Sequence, residues 1–503
     1  MARRNEIGRN LPYRALPKFR RVQTMNIFYF SAEVEPFAKS GGLGDVLGAL
    51  PKAVAKNKDN NVFVVMPLYK DVIKLNYKAQ MEYIGYFYTE VSWRHQYVGV
   101  MRLVRDNVTY YFLDNEYYFQ GPMYCYADNE RFAYFNKAAL DLVVWLNVHA
   151  DVLHCNDWSA GFIPFLKHAF FGECPQLKDA QVVYTIHNLK YQGKMSVECM
   201  KDLTGLPDWY FTDDRLLDNG CANVMKGAMV FSNAITTVSD TYAKEIATPE
   251  YGEGLDYVVR EYGYKTSGII NGVDYTVYNP SKDTMIDVNY NRVTFRKGKT
   301  ANKVALQQAL GLPVREDVPM FAFISRLVDQ KGLDMLCSVT ENLLQHDIQF
   351  VVLGTGDKRY EDWFSDIASR HPDKMSANIY FDNALAHKLY AAADFVVLPS
   401  VFEPCGLTQL IALKYGAVPI VRETGGLKDT VTSYNEQTGE GNGFSFAPLN
   451  AADLEYTVCR AIGFWYDRNK VYRLIQRRGM GQDFSWNESS NKYMQLYNRL
   501  LNR

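Results

Sequence analysis

The stretch Lys39-Ser40-Gly41-Gly42-Leu43-Gly44-Asp45-Val46 decides the fold. A strand-like run, Ile27-Phe28-Tyr29-Phe30-Ser31, precedes it across a short connection carrying Glu33 and Glu35, and a helix-like segment from Val46 to Ala55 follows. Glycines at a strand-to-helix turn, here Gly41, Gly42 and Gly44, let the backbone approach a ligand closely, and a helix start offers unpaired N–H groups that favour an anion. Lys39 adds positive charge beside them, so the turn points first to a phosphate-bearing substrate. Gly42-Leu43-Gly44, with Gly48 behind, also reads as a dinucleotide fingerprint or as plain packing of a helix on a strand. A dinucleotide site expects an acidic residue closing the second strand, about 20 residues on. The next strand-like run ends in Pro67-Leu68-Tyr69 with no carboxylate, which demotes that reading.

Working outward, strand-like runs alternate with helical ones throughout, the pattern of parallel sheets with helices on both faces. The first half holds Ile27–Ser31, Asn61–Pro67, Thr109–Leu113, Val152–Cys155, Val182–Thr185 and Ala234–Val238. The second restarts at Met320–Ile324 and continues through Phe350–Leu353, Ile379–Phe381, Phe395–Leu398 and Val418–Val421. A polar, irregular stretch from about Asn271 to Asn302 separates them. The expectation is an α/β chain of two doubly wound domains, over residues 25–270 and 271–485, with their ligand site in the cleft beyond the carboxyl ends of the strands.

The 503 residues are too many for one ordinary core. A formal net charge of −1 gives no basic field for nucleic acid. The eight cysteines are scattered without a C-x-x-C pair or a metal-ligand cluster, which fits a reducing cytoplasm, and no apolar run approaches a membrane span. No cofactor, metal or membrane partner is expected. Residues 1–24 carry seven basic side chains against Glu6 alone and have no apolar core, so they read as a flexible basic arm or as translation from an upstream start, since Met25 directly precedes the first strand. The 36 tyrosines, 28 phenylalanines and 7 tryptophans permit a carbohydrate ligand without demanding one.

Several polar motifs fall at the expected strand ends. Arg326 and Lys331, five residues apart across a strand-to-helix turn, could both reach one diphosphate, arginine with a forked donor pair and lysine with a compact charge. Glu403 stands on the rigid Glu403-Pro404-Cys405-Gly406 turn before a helix expected over Leu407 to Lys414, placed to accept sugar hydroxyls or to cap that helix. Thr424-Gly425-Gly426 repeats the helix-start pattern, and Gly354-Thr355-Gly356-Asp357 is a further glycine turn. Asn156-Asp157-Trp158 and Ile186-His187-Asn188 end two strands of the first half. Cys405 reads as a packing residue, with no histidine nearby to activate it.

These residues, in this order, resemble the bacterial glycogen synthases and plant starch synthases. The resemblance runs from Met25 to the C-terminus and rests on Lys39-x-Gly-Gly-Leu-Gly-Asp45, Asp157-Trp158, His187-Asn188-Leu189, Asn271-Gly272-Val273-Asp274, Ser325-Arg326-Leu327 with Lys331-Gly332, Glu403 to Leu410, and Thr424-Gly425-Gly426-Leu427. It implies a GT-B glycosyltransferase of two facing Rossmann-like domains, with residues 486–503 forming a helix that crosses back to the first domain. Arg326 and Lys331 would hold a donor diphosphate, faced by Lys39 and the Gly41–Gly44 turn with Asp45. His187, Asn188 and Asp157 would contact the transferred glucose and Glu403 its hydroxyls. Cys405, Gly406, Leu407 and Thr408 would line the sugar–phosphate pocket, Asn271, Gly354, Thr424, Gly425 and Gly426 would be further substrate-binding residues, and Phe381 would lie against the base. Related retaining transferases often carry a second glutamate eight positions after the first; here that position is Ile411, which suits the glycogen synthase branch.

The implied reaction moves glucose from a nucleoside-diphosphate glucose, ADP-glucose in preference to UDP-glucose, to the 4-hydroxyl of an α-1,4-glucan or malto-oligosaccharide with retention of configuration. No covalent nucleophile or Asp-x-Asp metal pair is evident, so leaving-group stabilisation by fixed charge is the expected chemistry. The rivals are a phosphorylase, for which no pyridoxal-phosphate lysine pattern is visible, an NAD-dependent dehydrogenase, and a catalytically inert glucan-binding protein.

Overall fold

The computed structural model describes residues 24–502; apart from Thr24, the basic arm expected over residues 1–24 lies outside them. The chain forms two compact units. Of the described residues, the first holds those up to Thr237, Ile246–Ile269 and those from Ser489 on; the second holds Val238–Glu245 and Ile270–Glu488.

The first unit contains β1 (Met25–Phe30), β2 (Asn60–Pro67), β3 (Glu82–Val91), β4 (Arg94–Arg105), β5 (Val108–Asp114), β6 (Val152–Asn156), β7 (Gln181–Ile186), β8 (Lys194–Met195), β9 (Leu217–Asp218), β10 (Cys221–Asn223), β11 (Ala234–Thr237) and β12 (Thr266–Gly268). Nine of them form one sheet in the order β12-β11-β7-β6-β1-β2-β5-β4-β3, while β8, β10 and β9 make a small separate sheet. The sheet is parallel except where β4 runs antiparallel to both β3 and β5. That edge corrects the all-parallel reading. Its alternation was visible in β3, where Phe87, Thr89 and Val91 are buried while Tyr86, Tyr88 and Glu90 are exposed, the period of a half-solvated strand.

The second unit holds β13 (Met320–Ile324), β14 (Gln349–Leu353), β15 (Met375–Asn378), β16 (Phe395–Leu398), β17 (Val418–Arg422) and β18 (Phe444–Phe446), all parallel, in the order β15-β14-β13-β16-β17-β18. Its strands read as continuous apolar runs because both faces are covered. Phe321, Phe323, Phe350 and Val352 point into one core layer, and Met320, Ala322, Val351 and Leu353 into the other. The strand expected at Ile379–Phe381 lies four residues earlier, at Met375–Asn378, which leaves Phe381 in the following loop.

The polar stretch expected to be irregular to Asn302 is helical from Phe295 to Leu310. Hydropathy hides this helix because lysines line its buried face. The Lys299 ammonium, held down to about 7 by burial, donates to the carbonyls of Tyr390, Ala391 and Tyr415, at 3.0–3.2 Å. Lys303 reaches the carbonyl of Val318 and the buried carboxylate of Asp394. These contacts anchor the end of the helix Thr408–Tyr415, whose start follows the Glu403 turn.

The C-terminal helix Trp486–Leu500 packs its last turns on the first unit through tyrosines. The Tyr497 hydroxyl lies 3.0 Å from that of Tyr29 and 2.7 Å from Nδ1 of His154, whose Nε2 meets the Thr185 hydroxyl at 2.6 Å. Burial lowers the His154 imidazole to about 3, so this chain of contacts is neutral.

Candidate active site

In the first unit the glycine-rich turn runs straight into the helix Gly42–Val54, which begins four residues earlier than the sequence suggested. A side chain added at Gly41 or Gly42 would meet nothing within 4 Å, whereas one at Gly44 would strike the Lys39 side chain at 2.9 Å and one at Gly48 the Glu35 carbonyl at 2.7 Å. Gly44 and Gly48 therefore serve packing, and Gly41 and Gly42 leave the backbone open. Two amides of this turn, those of Ser40 and Gly41, do not stand free for a phosphate. Ser40 N–H donates to the Glu33 carboxylate at 2.6 Å, Gly41 N–H at 3.1 Å, and the Ser40 and Tyr124 hydroxyls at 2.7 and 2.6 Å. Lys39, expected to face the diphosphate, donates to Asp45 at 2.6 Å with about a third of each side chain exposed. Burial raises the Asp45 carboxyl and the Lys39 ammonium pulls against it.

At the carboxyl ends of β6 and β7, Asp157, His187 and Asn188 come together. The Asp157 carboxylate accepts from the backbone N–H of His187 at 2.7 Å and of Asn188 at 3.3 Å. Asp157 sits at φ 56°, a conformation that costs a non-glycine residue about 1–3 kcal/mol and persists where surroundings enforce it. Burial pushes its carboxyl up to about 7 despite both amides, and the nearby Glu33 charge adds to the rise. His187 Nε2 lies 3.0 Å from the Asn156 Oδ1, an acceptor whose amide group donates elsewhere. That contact puts the proton on Nε2 and leaves Nδ1 as the ring's acceptor. Burial lowers this imidazole to about 3, so it is neutral at physiological pH. The Asn188 carboxamide accepts the Lys190 N–H in a local turn.

In the second unit the loops after β13, β14, β16 and β17 interlock. Leu327 N–H donates to the Thr355 carbonyl at 2.8 Å, Asp357 N–H to the Leu327 carbonyl at 2.7 Å, and Val401 N–H to the Gln330 carbonyl at 2.9 Å. Glycine is required where these loops touch. A Cβ at Gly332 (φ 68°) would lie 1.9 Å from the Pro399 carbonyl oxygen, and one at Gly354 1.9 Å from that of Ser325. Lys331 and Glu403, both thought to meet the ligand separately, are a part-buried ion pair at 2.5 Å, and the Ser400 hydroxyl gives Glu403 a second bond at 3.0 Å. The capping alternative for Glu403 finds no support in these partners. Arg326 is exposed, and among the described residues no carboxylate pairs with it. Asn271 hydrogen-bonds Cys405, whose thiol burial pushes up to about 12, and its buried Oδ1 has no partner among the described residues. Gly406 (φ 71°) and Leu407 precede Thr408, which opens the helix. Phe381 is 88% exposed.

The Thr424 hydroxyl and the Gly425 N–H, at a turn expected to bind substrate, also meet a carboxylate of the protein. Glu245, from the Val238–Glu245 insertion into this unit, accepts from the Thr424 hydroxyl and the Gly425 N–H, both at 3.0 Å. Tyr124, Glu245 and Glu33 carry no local sequence signal of these roles, because their partners lie at a distance along the chain. Among the described residues no group of three or more histidine, cysteine, aspartate or glutamate side chains could hold a metal ion, and no helix is long and apolar enough to cross a membrane.

Comparison with known proteins bears on this arrangement. Residues 26–261 match the family model for the starch synthase catalytic domain, and residues 310–471 that for glycosyl transferases group 1. The chain is 48% identical over 478 residues to the glycogen synthase of Lachnospira eligens, covering 94% of this chain and all of that one, and 49% identical over 484 residues to that of Clostridium novyi. The catalytic domain of starch synthase IV from Arabidopsis thaliana, solved bound to ADP and acarbose, superposes with a TM-score of 0.88 at 32% identity, covering 95% of this chain and all of that one. A sucrose-phosphate synthase from Thermosynechococcus elongatus shares the fold at a TM-score of 0.60 and 17% identity. The chain is therefore a GT-B hexosyltransferase and belongs to the glycogen and starch synthase family.

Proposed function

We propose that this glycogen synthase uses ADP-glucose as its donor and extends the non-reducing 4-hydroxyl of an α-1,4-glucan with retention of configuration. The observation that carries the donor assignment is the likeness, at 32% identity over nearly the whole chain, to a starch synthase solved with ADP and acarbose. In this reading Arg326 and Lys331 take up the charge that develops on the diphosphate as the C1–O bond breaks. Lysine has three N–H donors and Glu403 engages one, so the others remain for phosphate oxygens while Glu403 keeps acceptor capacity for sugar hydroxyls. His187, neutral with Nδ1 as acceptor, and Asp157 contact the transferred glucose. The acceptor hydroxyl forms its bond to C1 on the face the diphosphate leaves, and its proton passes to the departing phosphate. Stereochemistry tests this reading. Proton NMR of the product formed from ADP-glucose and maltoheptaose should show new α-1,4 linkages, and a β-linked product would overturn it.

A further inference from the structure

Glu33 is a buried carboxylate. It is 3% exposed, and among the described residues no lysine, arginine or histidine pairs with it. All four donors around it come from two loops: Ser40 N–H, Ser40 hydroxyl and Gly41 N–H from the glycine-rich turn, and the Tyr124 hydroxyl from the segment before the helix Asp128–Trp145. Its own backbone is held as well, by reciprocal bonds with the Ser31 hydroxyl at the end of β1. The second loop is fastened from below. The Arg131 guanidinium donates to the carbonyls of Tyr118 and Pro122, the Cys125 sulfur and the Asp128 carboxylate.

Beyond the Glu33 bonds, the turn is held where the helix Gly42–Val54 begins, by the Gly44 N–H on the Gly41 carbonyl at 3.2 Å and the Glu35 N–H on the Gly44 carbonyl at 3.0 Å. Gly41 and Gly42 carry no side chain and have open space where one would be. A glycine backbone has more conformations to lose than any other, so an unsupported Gly-Gly pair would wander. A charged acceptor taking two successive amides is a strong restraint, because charge-assisted bonds are about twice as strong as neutral ones. Lys39 is adjacent to the restrained Ser40, so whatever fixes Ser40 also fixes where the Lys39–Asp45 pair is presented.

We propose that Glu33 is a positioning residue for glucosyl transfer: it presets the Lys39–Gly42 turn and, through Tyr124, locks that turn to the Gly121–Ala127 loop. The inference rests on the functional reading above only for its effect on turnover; the restraint on the turn stands apart from it. Glu33 touches no substrate in this scheme. It spends two amides of the turn on the protein's own carboxylate, which leaves anion binding there to Lys39 and the amides beyond Gly41.

The test compares Glu33→Ala, Glu33→Gln and Tyr124→Phe in the full chain by amide hydrogen exchange over residues 39–44, by kcat and KM for ADP-glucose, and by ADP titration. Glu33→Ala should speed exchange at Ser40 and Gly41 and cut kcat by about 10–100-fold, the scale of a misplaced active-site group, with ADP affinity within about twofold of wild type. Glu33→Gln should keep slow exchange and lose no more than about threefold in kcat, because one carboxamide oxygen can still take both amides while its NH2 meets two hydroxyl oxygens that accept as well as donate. If Glu33→Ala does not fold, Tyr124→Phe carries the test and should raise exchange at Ser40 and lower kcat. Unchanged exchange and kcat in the folded variants would overturn the proposal, as would a Glu33→Gln protein with slow exchange but a kcat as low as that of Glu33→Ala, which would separate turnover from the restraint on the turn. A wild-type protein that turns over no ADP-glucose would defeat the functional reading instead, while the exchange data still report on the turn.

Discussion

Removing Lys331 separates what this lysine does for the fold from what it does for the reaction. In the ion pair, Nζ and Oε2 are 2.5 Å apart and the side chains are 13% and 10% exposed. At an effective dielectric of 20 the attraction is roughly 6–7 kcal/mol, but taking each ion out of water costs several, so the intact pair contributes little net stability. Deleting one partner is a different matter. Lys331→Ala leaves the Glu403 carboxylate buried with only the Ser400 hydroxyl, at a cost of about 3 kcal/mol, the lower end for a broken buried pair. For a unit of this size that corresponds to a melting temperature lower by about 6–12 °C. Turnover should fall by about 10²–10³-fold, the scale for one preorganised donor. The double variant Lys331→Ala/Glu403→Gln removes the stranded charge and should regain at least about half the lost stability with no gain in transfer. Thermal unfolding and glucose incorporation, measured on the same preparations, read the two effects. A double variant that melts no higher than the single one, or that recovers turnover along with stability, would refute the reasoning.

Arg326 gives the converse case: it is exposed and, among the described residues, pairs with no carboxylate, so Arg326→Ala should lose about 10²–10³-fold in turnover while its melting temperature stays within about 1 °C of wild type. A loss under threefold would remove it from the diphosphate site. His187→Ala should impair transfer while ADP still binds, as titration calorimetry would register; an equal loss of ADP affinity would make the histidine structural. Asp157 makes a pH-dependent prediction. Its carboxyl is pushed up to about 7 from 3.8 on folding, so between those values the native protein holds a proton that the unfolded chain has released. This favours the native state fully below about 3.8 and is lost as pH rises through 7. Asp157→Asn keeps an acceptor for both amides without the charge, and should exceed wild type in stability by about 1–3 kcal/mol at pH 8, with the gap closing below pH 5. A gap independent of pH would contradict the burial argument.

The parallel strands were legible because strands covered on both faces read as unbroken apolar runs, as Met320–Ile324 and Phe395–Leu398 do. The β3–β4 edge was not picked out, since it alternates tyrosines with apolar residues instead of presenting such a run. The helix Phe295–Leu310 was missed because Lys299 and Lys303 look like surface residues until their carbonyl and carboxylate partners, more than 90 residues away for some, are in view. In the site, motif residues could be named singly but not their mutual contacts. Lys331 and Glu403 are 72 positions apart, and Tyr124 is 91 from Glu33. The glycine turns looked like open anion sites because sequence shows that amides are unpaired within a helix start, not that Glu33 and Glu245 already meet them.

The central claim is tested most directly by following glucose incorporation into maltoheptaose with ADP-glucose and UDP-glucose supplied in parallel to the purified chain. Transfer from ADP-glucose should proceed with kcat/KM at least about tenfold above that from UDP-glucose, the ratio equivalent to 1.4 kcal/mol of transition-state discrimination. Equal or preferred use of UDP-glucose would contradict the donor assignment, and no incorporation from either would contradict the function.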